Sequence, residues 1–402
     1  MRRVNNIYDS ILDIKVIQKI YSSRVRVNTK NKLKLEKFEN NYVSNMIYIK
    51  QILEEKNYKP GRYNIFLIKE PKLRIIMSQN IIDKLINHVV SQYFLINIFE
   101  STLIEENVAT RKNKGTKYGI FLLKKYLNEV KDKNFYILKF DISKYFFNLD
   151  HDIIKELLVH KIKDKEALKI LYDIVDSTDS CYVNERINLL KEKEIQRINN
   201  SNSKDKERLI KEIKELPNYE VGKGLPIGNM SSQFLAILYL NELDHFIKSK
   251  LKIKYYIRYM DDGVIIHQNK EYLQYCLEEI NKILERYKLK LNKKTKIYSC
   301  KEGFEFLGFR YIIKNNKVIM KVKNSTKKRF KRKIKVYNKL LKKDKLSEFD
   351  YNQVLASYKG HLSYGNTNNL VYSNLSNGAI KLWAHMVTIN SNGEVIYLNS
   401  KS

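Results

Sequence analysis

Two strongly apolar segments that each run into aspartate constrain the fold of this chain most. The first is FYILKF, residues 135–140, followed by Asp141, and the second is YYIRYM, residues 255–260, followed by Asp261 and Asp262. Continuous apolar runs of this kind are typical of strands buried on both faces. A carboxylate at the end of a buried strand must be paired, solvated or bound to metal. If the two strands are neighbours, Asp141 and Asp261 converge at one sheet edge, where their oxygens could bind Mg²⁺.

A tight turn is the alternative interpretation of the aspartate doublet. The sequence Asp-Asp-Gly, residues 261–263, is also common between two strands. A pair of Mg²⁺ ions at such carboxylates could instead activate a 3′-hydroxyl and stabilise a leaving pyrophosphate. The doublet alone leaves both interpretations open.

The charge balance indicates a polyanionic partner. The 402 residues include 76 Lys and Arg against 44 Asp and Glu, a formal net charge of +32. Nucleic acid is the commonest partner for such an excess. A genome rich in A and T could explain the preference for lysine codons, but it does not by itself explain the net excess.

The segment 321–346 concentrates this positive charge. It holds 13 Lys or Arg and a single acid, Asp344, and its apolar residues recur at helical spacing. We therefore predict a helix with one packed face and one face that contacts phosphates, rather than a merely solvated face. The cations predicted to bind nucleic acid are Lys327, Lys328, Arg329, Lys331, Arg332 and Lys335.

The remaining organisation is a mixture of helices and short strands. Residues 1–60 have helical spacing, and residues 184–216 read as two charged helices broken at 199–203. The start of the chain has no signal-peptide pattern, and no apolar stretch is long enough to cross a bilayer, so we expect a cytoplasmic protein. The three cysteines, Cys181, Cys276 and Cys300, are too scattered for a zinc motif or a disulfide framework.

Seven segments, taken in chain order, resemble the sequence blocks of reverse transcriptases. KEPKLRIIMSQ (69–79) and VATRKNKGT (108–116) resemble the fingers. KFDISKYFFNLDHDII (139–154) resembles the first catalytic block, and GKGLPIGNMSSQFLAILYLNELDHFI (222–247) the nucleotide pocket. RYMDDGVII (258–266) resembles the double-aspartate hairpin, LNKKTKIYS (291–299) the lysine block, and FEFLGFRY (304–311) the turn that grips the primer end.

The resemblance implies an α+β fold of the right-hand polymerase type. It implies a helical N-terminal extension over 1–60 and fingers over 61–138. A palm with a small antiparallel sheet follows over 139–322, with a helical insertion at about 178–219. A basic helical thumb and C-terminal tail then cover 323–402. The activity implied is RNA-directed DNA synthesis, with an RNA template, an RNA/DNA duplex and deoxynucleoside triphosphates as partners.

The resemblance also implies roles for individual residues. Two Mg²⁺ ions would be bound by Asp141, Asp261 and Asp262 together with the backbone carbonyl of Ile142. Mn²⁺ could substitute for Mg²⁺. Asp262 could instead support the site without direct contact to a metal ion. Phe146 would exclude a 2′-hydroxyl, or be plain core. Lys69 and Arg74 would neutralise the triphosphate, or form a surface charge pair with Glu70. Lys294, with Lys296 as a competitor, would protonate pyrophosphate. The other predicted nucleotide-pocket residues are Ile227, Gly228, Gln233 and Tyr259.

The subgroup rests on fewer residues. IGNMSSQ (227–233) after GKGLP resembles diversity-generating retroelements, and an isoleucine at position 227 in place of an amide would lower fidelity. A phage-defence enzyme that works with a structured non-coding RNA, and with a possible accessory protein, is the second interpretation, because residues 178–219 form a long insertion. A non-catalytic RNA-binding protein on a polymerase scaffold is the alternative from another class.

Overall fold

Helices and short antiparallel sheets build the protein. The structure, a computed structural model, describes residues 3–70, 72–202, 205–375 and 383, and the backbone of 386–389 and 395–397. Part of the predicted C-terminal tail therefore lies outside the described residues. The α-helices are α1 Ile14–Ile20, α2 Lys32–Glu39, α3 Tyr42–Glu54, α4 Ile81–Val90, α5 Asn97–Phe99, α6 Thr116–Val130, α7 Tyr145–Asn148, α8 His151–Val159, α9 Lys165–Val175, α10 Cys181–Asn199, α11 Lys206–Lys214, α12 Met230–Tyr239, α13 Asn241–His245, α14 Lys270–Arg286, α15 Asn324–Leu341, α16 Glu348–Leu362 and α17 Asn368–Tyr372.

Short 3₁₀ and π-helical segments extend several of these helices. The 3₁₀ segments are Tyr8–Ile11, Glu100–Thr102 and Asp176–Thr178, and the π segments are Tyr21–Arg26, Ser91–Ile96 and Phe246–Lys250. Residues 81–99 form α4, a π segment and α5 in succession. Helix α12 ends at Tyr239, and α13 begins at Asn241 and leads into the π segment Phe246–Lys250.

The strands form four separate sheets. They are β1 Asn64–Ile68, β2 Arg74–Ser78, β3 Tyr136–Phe140, β4 Tyr255–Tyr259, β5 Asp262–His267, β6 Lys296–Ser299, β7 Phe304–Phe306, β8 Phe309–Lys314, β9 Lys317–Val322, β10 Met386–Ile389 and β11 Val395–Tyr397. The sheets have the orders β1-β2, β4-β5-β3-β6, β7-β8-β9 and β10-β11. The pairings β1 with β2, β3 with β6, β7 with β8, β8 with β9, and β10 with β11 are all antiparallel. The predicted α+β class is thus confirmed at the level of mixed helices and small antiparallel sheets.

Two compact units divide the chain. Unit 1 comprises Met1–Gly115, Phe140–Gly263 and Tyr275–Thr295, and unit 2 comprises Thr116–Lys139, Val264–Gln274 and Lys296–Ser402. The three predicted catalytic aspartates belong to unit 1, and the six predicted phosphate-binding cations belong to unit 2. The boundaries of fingers, palm and thumb remain predictions.

In unit 1, the β1-β2 hairpin packs against the predicted insertion. Ile65 of β1 and Ile75 of β2 share an apolar cluster with Val183 and Ile187 of α10. The insertion is helical, as predicted. It consists of α10 and α11, which are separated by a break after Asn199. Its first helix is therefore part of the core of this unit and not a detached arm.

In unit 2, the segment FEFLGFRYII, residues 304–313, forms two strands. Leu307 and Gly308 both have positive φ, 48° and 85°, and turn the chain between β7 and β8. The predicted basic helix is confirmed as α15, which buries Phe330 and Ile334 on one face. The ring of Phe330 meets Tyr358 of α16 edge-on at 5.0 Å between centroids.

No helix among the residues that the structure describes is both long enough and apolar enough to span a membrane.

Candidate active site

A two-residue turn places Asp261 at the tip of the β4-β5 hairpin. Strand β4 ends at Tyr259, β5 begins at Asp262, and Met260 with Asp261 makes the turn between them. Met260 has φ of +57°, a left-handed conformation that is uncommon for a residue other than glycine and that is enriched at functional sites. The backbone of Gly263 is not in the left-handed region. Met260 is therefore the left-handed residue of this turn.

A buried arginine supports this turn. The Arg258 guanidinium, which has no exposed surface, donates to the Met260 carbonyl at 2.8 Å and to the Ile237 carbonyl at 2.9 Å. It also forms a bidentate pair with Asp244, through Nε to Oδ1 at 2.6 Å and Nη2 to Oδ2 at 2.5 Å. Burial disfavours the charge on Arg258, but the Asp244 carboxylate outweighs burial and raises the arginine pKa. The hairpin tip is thus tied to the protein core by fixed hydrogen bonds.

The backbone of Asp141 is held on both sides by one distant segment. The Asn292 amide donates to the Asp141 carbonyl at 2.7 Å, and the Asp141 amide donates to Thr295 Oγ1 at 3.3 Å. Ile142 forms an antiparallel bridge with Leu291, and the bonds of this bridge do not use the Ile142 carbonyl. Asp141 therefore leaves strand β3 in a defined direction.

Asp141, Asp261 and Asp262 converge where the end of β3 meets the start of β5. Phe140, the last residue of β3, lies directly against Gly263, the second residue of β5. Burial, then the charge of Asp262, then the charge of Asp141 raise the pKa of Asp261 to about 7. Desolvation and neighbouring like charges both disfavour an ionised carboxylate at Asp261.

Asp261 interacts with Asp141 through a hydrogen bond as well as through charge. A protonated Asp261 carboxyl can donate a hydrogen bond to Asp141. Successive residues entering a strand point to opposite faces, so Asp262 is directed differently from Asp261. Among the described residues, Asp141, Asp261 and Asp262 do not form a set in which one ligand atom from each residue lies within 4.8 Å of the others. Asp141 and Asp261 would thus hold the cations, and Asp262 would act from beside them.

These residues fit the divalent cation that the sequence predicts. Mg²⁺ takes oxygen ligands, and it is usually bound by one or two carboxylates with waters and substrate phosphates in the remaining positions. The cluster supplies carboxylate oxygens, and the Ile142 carbonyl, which the bridge to Leu291 does not use, follows directly after Asp141. Asp141 and Asp261 would hold the ions.

The predicted pocket residues lie on segments of unit 1. Phe146 is half-buried in α7, with its ring edge-on to that of Tyr145 at 5.9 Å between centroids. Ile227 is half-buried, and its carbonyl accepts from the Met77 amide of β2 at 3.0 Å. Gly228 has φ of +133°, and a Cβ there would lie 3.0 Å from the Met77 carbonyl oxygen. The pocket segment is thus joined to the β1-β2 hairpin. Gln233 in α12 and Tyr259 in β4 are half-buried.

The predicted triphosphate cations differ in their surroundings. Lys69 forms an ion pair with Glu194 of α10 at 2.6 Å. Burial opposes the charge of Glu194, but hydrogen bonds from Lys69 and Arg197 outweigh burial and lower its pKa. Arg74 is exposed at the start of β2. Lys69 therefore contacts the first helix of the insertion.

The lysine block contributes structure as well as charge. Lys294 is exposed, and its amide donates to Asn292 Oδ1 at 3.1 Å, within the segment that holds Asp141. Lys296 instead forms an ion pair with Glu302 at 3.6 Å. The choice between Lys294 and Lys296 as the proton donor stays a prediction.

In unit 2, the predicted phosphate-binding cations lie on two sides of α15. Lys327, Lys328 and Lys331 line one groove together with Asn324 and Asn366. Arg329 lies on another side, in a cleft with Tyr358, to which it is hydrogen-bonded. Arg332 and Lys335 are exposed. The first three lysines form the continuous cationic surface, which we call the lysine groove.

Sequence reasoning missed the residues that support the aspartates. Arg258, Asp244, Asn292 and Thr295 lie in segments that resemble reverse transcriptase blocks, but the resemblance implied no role for them. A charged residue in the middle of an apolar strand, as at Arg258, was a usable signal, since such a group needs a buried partner. No local pattern identifies the contact between Thr295 and Asp141, which are 154 residues apart.

Converging carboxylates at strand ends, beside a tight turn, are typical of enzymes that handle nucleotide phosphates through divalent cations. Residues 59–311, more than half of the chain, match the family model described as reverse transcriptase (RNA-dependent DNA polymerase). The chain belongs to the reverse transcriptase family, and it is an RNA-directed DNA polymerase. The predicted resemblance is confirmed at this level. A search of curated proteins returned no significant match.

Family membership carries general consequences. A reverse transcriptase works on an RNA template with deoxynucleoside triphosphates. Enzymes of this family generally use divalent metal ions, usually Mg²⁺.

Proposed function

We propose that this reverse transcriptase adds deoxynucleotides to a primer 3′-hydroxyl by two-metal catalysis at Asp141 and Asp261. The observation that carries this proposal is the convergence of Asp141, Asp261 and Asp262, where mutual repulsion and burial raise the pKa of Asp261 to about 7. When bound, Mg²⁺ supplies the positive charge that activates the attacking hydroxyl and neutralises the leaving pyrophosphate.

The chain's own residues hold and orient the reactants. Asp141 and Asp261 bind the cations, and Asp262 supports the hairpin tip from the next position. Ile142 offers its backbone carbonyl, which the bridge to Leu291 leaves unused. Asn292 and Thr295 hold the Asp141 backbone, and the Arg258 hydrogen bond to Met260 holds the turn.

Other residues select and neutralise the nucleotide. Phe146 excludes a 2′-hydroxyl by its bulk. Arg74 neutralises the triphosphate, for which the guanidinium fork is suited. Lys69 assists once it releases Glu194, and Lys294 donates a proton to pyrophosphate. Ile227, Gly228, Gln233 and Tyr259 line the pocket.

In this proposal, the basic helix binds the RNA/DNA duplex through phosphates. The cations are Lys327, Lys328, Arg329, Lys331, Arg332 and Lys335. Because these contacts are with phosphates, binding is independent of sequence and weakens with salt.

RNA-templated primer extension tests the proposal. Asp141→Asn and Asp261→Asn should each remove DNA synthesis in the presence of Mg²⁺, while Asp132→Asn, an exposed aspartate in a turn, should leave it unchanged. Synthesis that persists in both active-site variants would contradict the assignment. If the variants lose synthesis but keep full activity in the cell, the protein acts as an RNA-binding scaffold instead.

The biological system we propose is a diversity-generating retroelement of low fidelity. The IGNMSSQ segment supports it, because Ile227 offers no side-chain hydrogen bond beside the pocket. The second candidate is phage defence with a structured RNA, which the helical insertion α10-α11 favours. Sequencing of RNA that co-purifies with the protein distinguishes them: a template repeat supports diversification, and one abundant structured RNA supports defence.

A further inference from the structure

A second cluster of potential ligands lies away from the catalytic aspartates. His151 is the first residue of α8, while Asp176 and Asp179 lie in the turn between α9 and α10. One ligand atom from each of these three residues lies within 4.8 Å of the other two. Among the described residues, this is the group of at least three His, Cys, Asp or Glu residues that meets this distance condition. None of the three has a role in the proposed reaction.

The buried ring of His151 presents an unsatisfied nitrogen to the two carboxylates. His151 is 1% exposed, and its Nε2 is 2.8 Å from the Gly224 carbonyl oxygen. A carbonyl oxygen only accepts, so Nε2 carries the proton and Nδ1 of the neutral ring holds a lone pair. Nδ1 lies 3.1 Å from Asp176 Oδ1 and 3.5 Å from Asp179 Oδ2, yet it has no hydrogen-bond partner. A lone pair facing two carboxylates is unfavourable, and a cation bound between these three atoms would remove the repulsion.

The other polar atom of each residue is already held in place. Asp176 Oδ2 accepts from Lys155 Nζ at 2.8 Å, and Asp179 Oδ1 accepts from the Gly222 amide at 3.0 Å. With Nε2 of His151 bonded to Gly224, each side chain is oriented by one atom and directs its second atom to a common point. Hydrogen bonds of this kind are the usual support of metal ligands.

We propose that His151, Asp176 and Asp179 form a second cation site, which binds a divalent transition ion of the Zn²⁺ type. One imidazole nitrogen with two carboxylate oxygens suits Zn²⁺ better than Mg²⁺. Bonds of about 2.1 Å in a tetrahedron place ligand atoms about 3.4 Å apart, which matches the observed Nδ1 to oxygen separations. Asp176 and Asp179 also line an open cleft, so water can take the remaining position.

The position of this site indicates what the ion does. It joins the start of α8 to the turn from which the insertion α10-α11 begins. Through Gly222 and Gly224 it also reaches the segment that leads to Ile227. The ion therefore fixes the pocket segment and the root of the insertion relative to each other, and it takes no part in nucleotide transfer.

Metal titration of the full chain tests the site. The protein is stripped with a chelator, dialysed and titrated with Zn²⁺ by calorimetry, and Co²⁺ binding is followed by visible absorption. The wild type should bind one equivalent that persists in Asp141→Asn/Asp261→Asn, a variant without the proposed catalytic ligands. Asp176→Asn and Asp179→Asn should each weaken this binding by at least about tenfold. Asp173→Asn, which changes another aspartate of the same cleft, should have no effect.

These variants are expected to fold, because the two aspartate side chains are 39% and 27% exposed and the His151 bond to Gly224 is kept. Thermal melts of the stripped proteins check this. The proposal would be overturned if the wild type did not bind Zn²⁺, or if the wild type and both variants bound Zn²⁺ equally. The cluster would then be an ion pair of protonated His151. Because the readout is metal binding, failure of the proposed polymerase mechanism leaves the result interpretable.

Discussion

Gly263 lies against the ring of Phe140 so closely that no side chain fits between them. A Cβ on Gly263 would lie 2.1 Å from Phe140 Cζ and 2.4 and 2.6 Å from its two Cε atoms. Phe140 has no exposed surface, so its ring has no free space into which to move. The glycine that follows the aspartate doublet therefore permits close approach of β5 to the end of β3. The site requires the absence of a side chain at Gly263, and not the wider range of backbone conformations that glycine allows.

Gly263→Ala should remove DNA synthesis and destabilise the protein, because overpacking of a filled core costs about 1–3 kcal/mol or more. The free energy of unfolding and primer extension measure the two effects. Gly360→Ala is the matched control: Gly360 lies in α16 with nothing within 4 Å of its Cβ position, so alanine should stabilise by about 0.5–1 kcal/mol. Equal effects of the two variants would contradict this account of Gly263.

Asp261→Asn should make the metal-free protein more stable at alkaline pH. Between the unfolded pKa of about 3.9 and the folded pKa of about 7, the native state binds a proton that the unfolded state does not. The stability of the wild type therefore falls as pH rises through this window, by up to about 1.4 kcal/mol for each pH unit. Thermal melts in chelator from pH 5 to 8 measure the slope, which the asparagine variant should lack.

Addition of Mg²⁺ at pH 8 provides the control for this prediction. The ion should stabilise the wild type, because it binds the folded state and neutralises the cluster. It should not stabilise Asp261→Asn to the same extent. An identical pH slope in the two proteins would show that another group titrates in this range.

Arg258 should be required for synthesis beyond its contribution to stability. Arg258→Met leaves Asp244 buried without its ion-pair partner, which costs about 3–5 kcal/mol. Arg258→Met/Asp244→Leu removes both charges and should recover part of the stability. It should not recover kcat, because the Met260 carbonyl still lacks its donor. Urea unfolding and primer-extension kinetics separate the two effects, and restored kcat in the double variant would show that Arg258 is only structural.

Local patterns predicted much of the fold. The strands that end at Asp141 and Asp261, the basic helix α15 and the helical insertion all follow from short stretches of sequence, because burial on one or two faces leaves a periodic signal. The family followed from the order of several segments. The catalytic roles of the individual residues remain predictions.

Contacts between distant residues could not be predicted in the same way. The left-handed Met260 depends on the Arg258 hydrogen bond, and the orientation of Asp141 depends on Thr295. The grouping of His151 with Asp176 and Asp179 depends on how α8 packs beside the end of α9. Such positions are set by tertiary packing, for which one sequence carries no periodic signal.

Phe146→Ala should relax selection against ribonucleotides. Without the half-buried ring, a 2′-hydroxyl meets less steric hindrance, and we expect discrimination to fall by about tenfold or more. The ratio of kcat/KM for deoxynucleotides and ribonucleotides measures it. Phe147→Leu is the control, since the ring of Phe147 packs on Tyr219 at 4.6 Å and its loss loosens the same segment. If both variants change the ratio equally, Phe146 is not the gate.

The lysine groove should account for a defined part of the salt dependence of duplex binding. Each phosphate contact contributes about 0.9 to the slope of log K against log salt. Replacing Lys327, Lys328 and Lys331 by glutamine should therefore reduce the slope by up to about 3. Replacing Lys342, Lys343 and Lys345, which are exposed beyond the end of α15, removes the same charge and should change the slope much less. Equal changes in the two triple variants would show that net charge, and not the groove, determines binding.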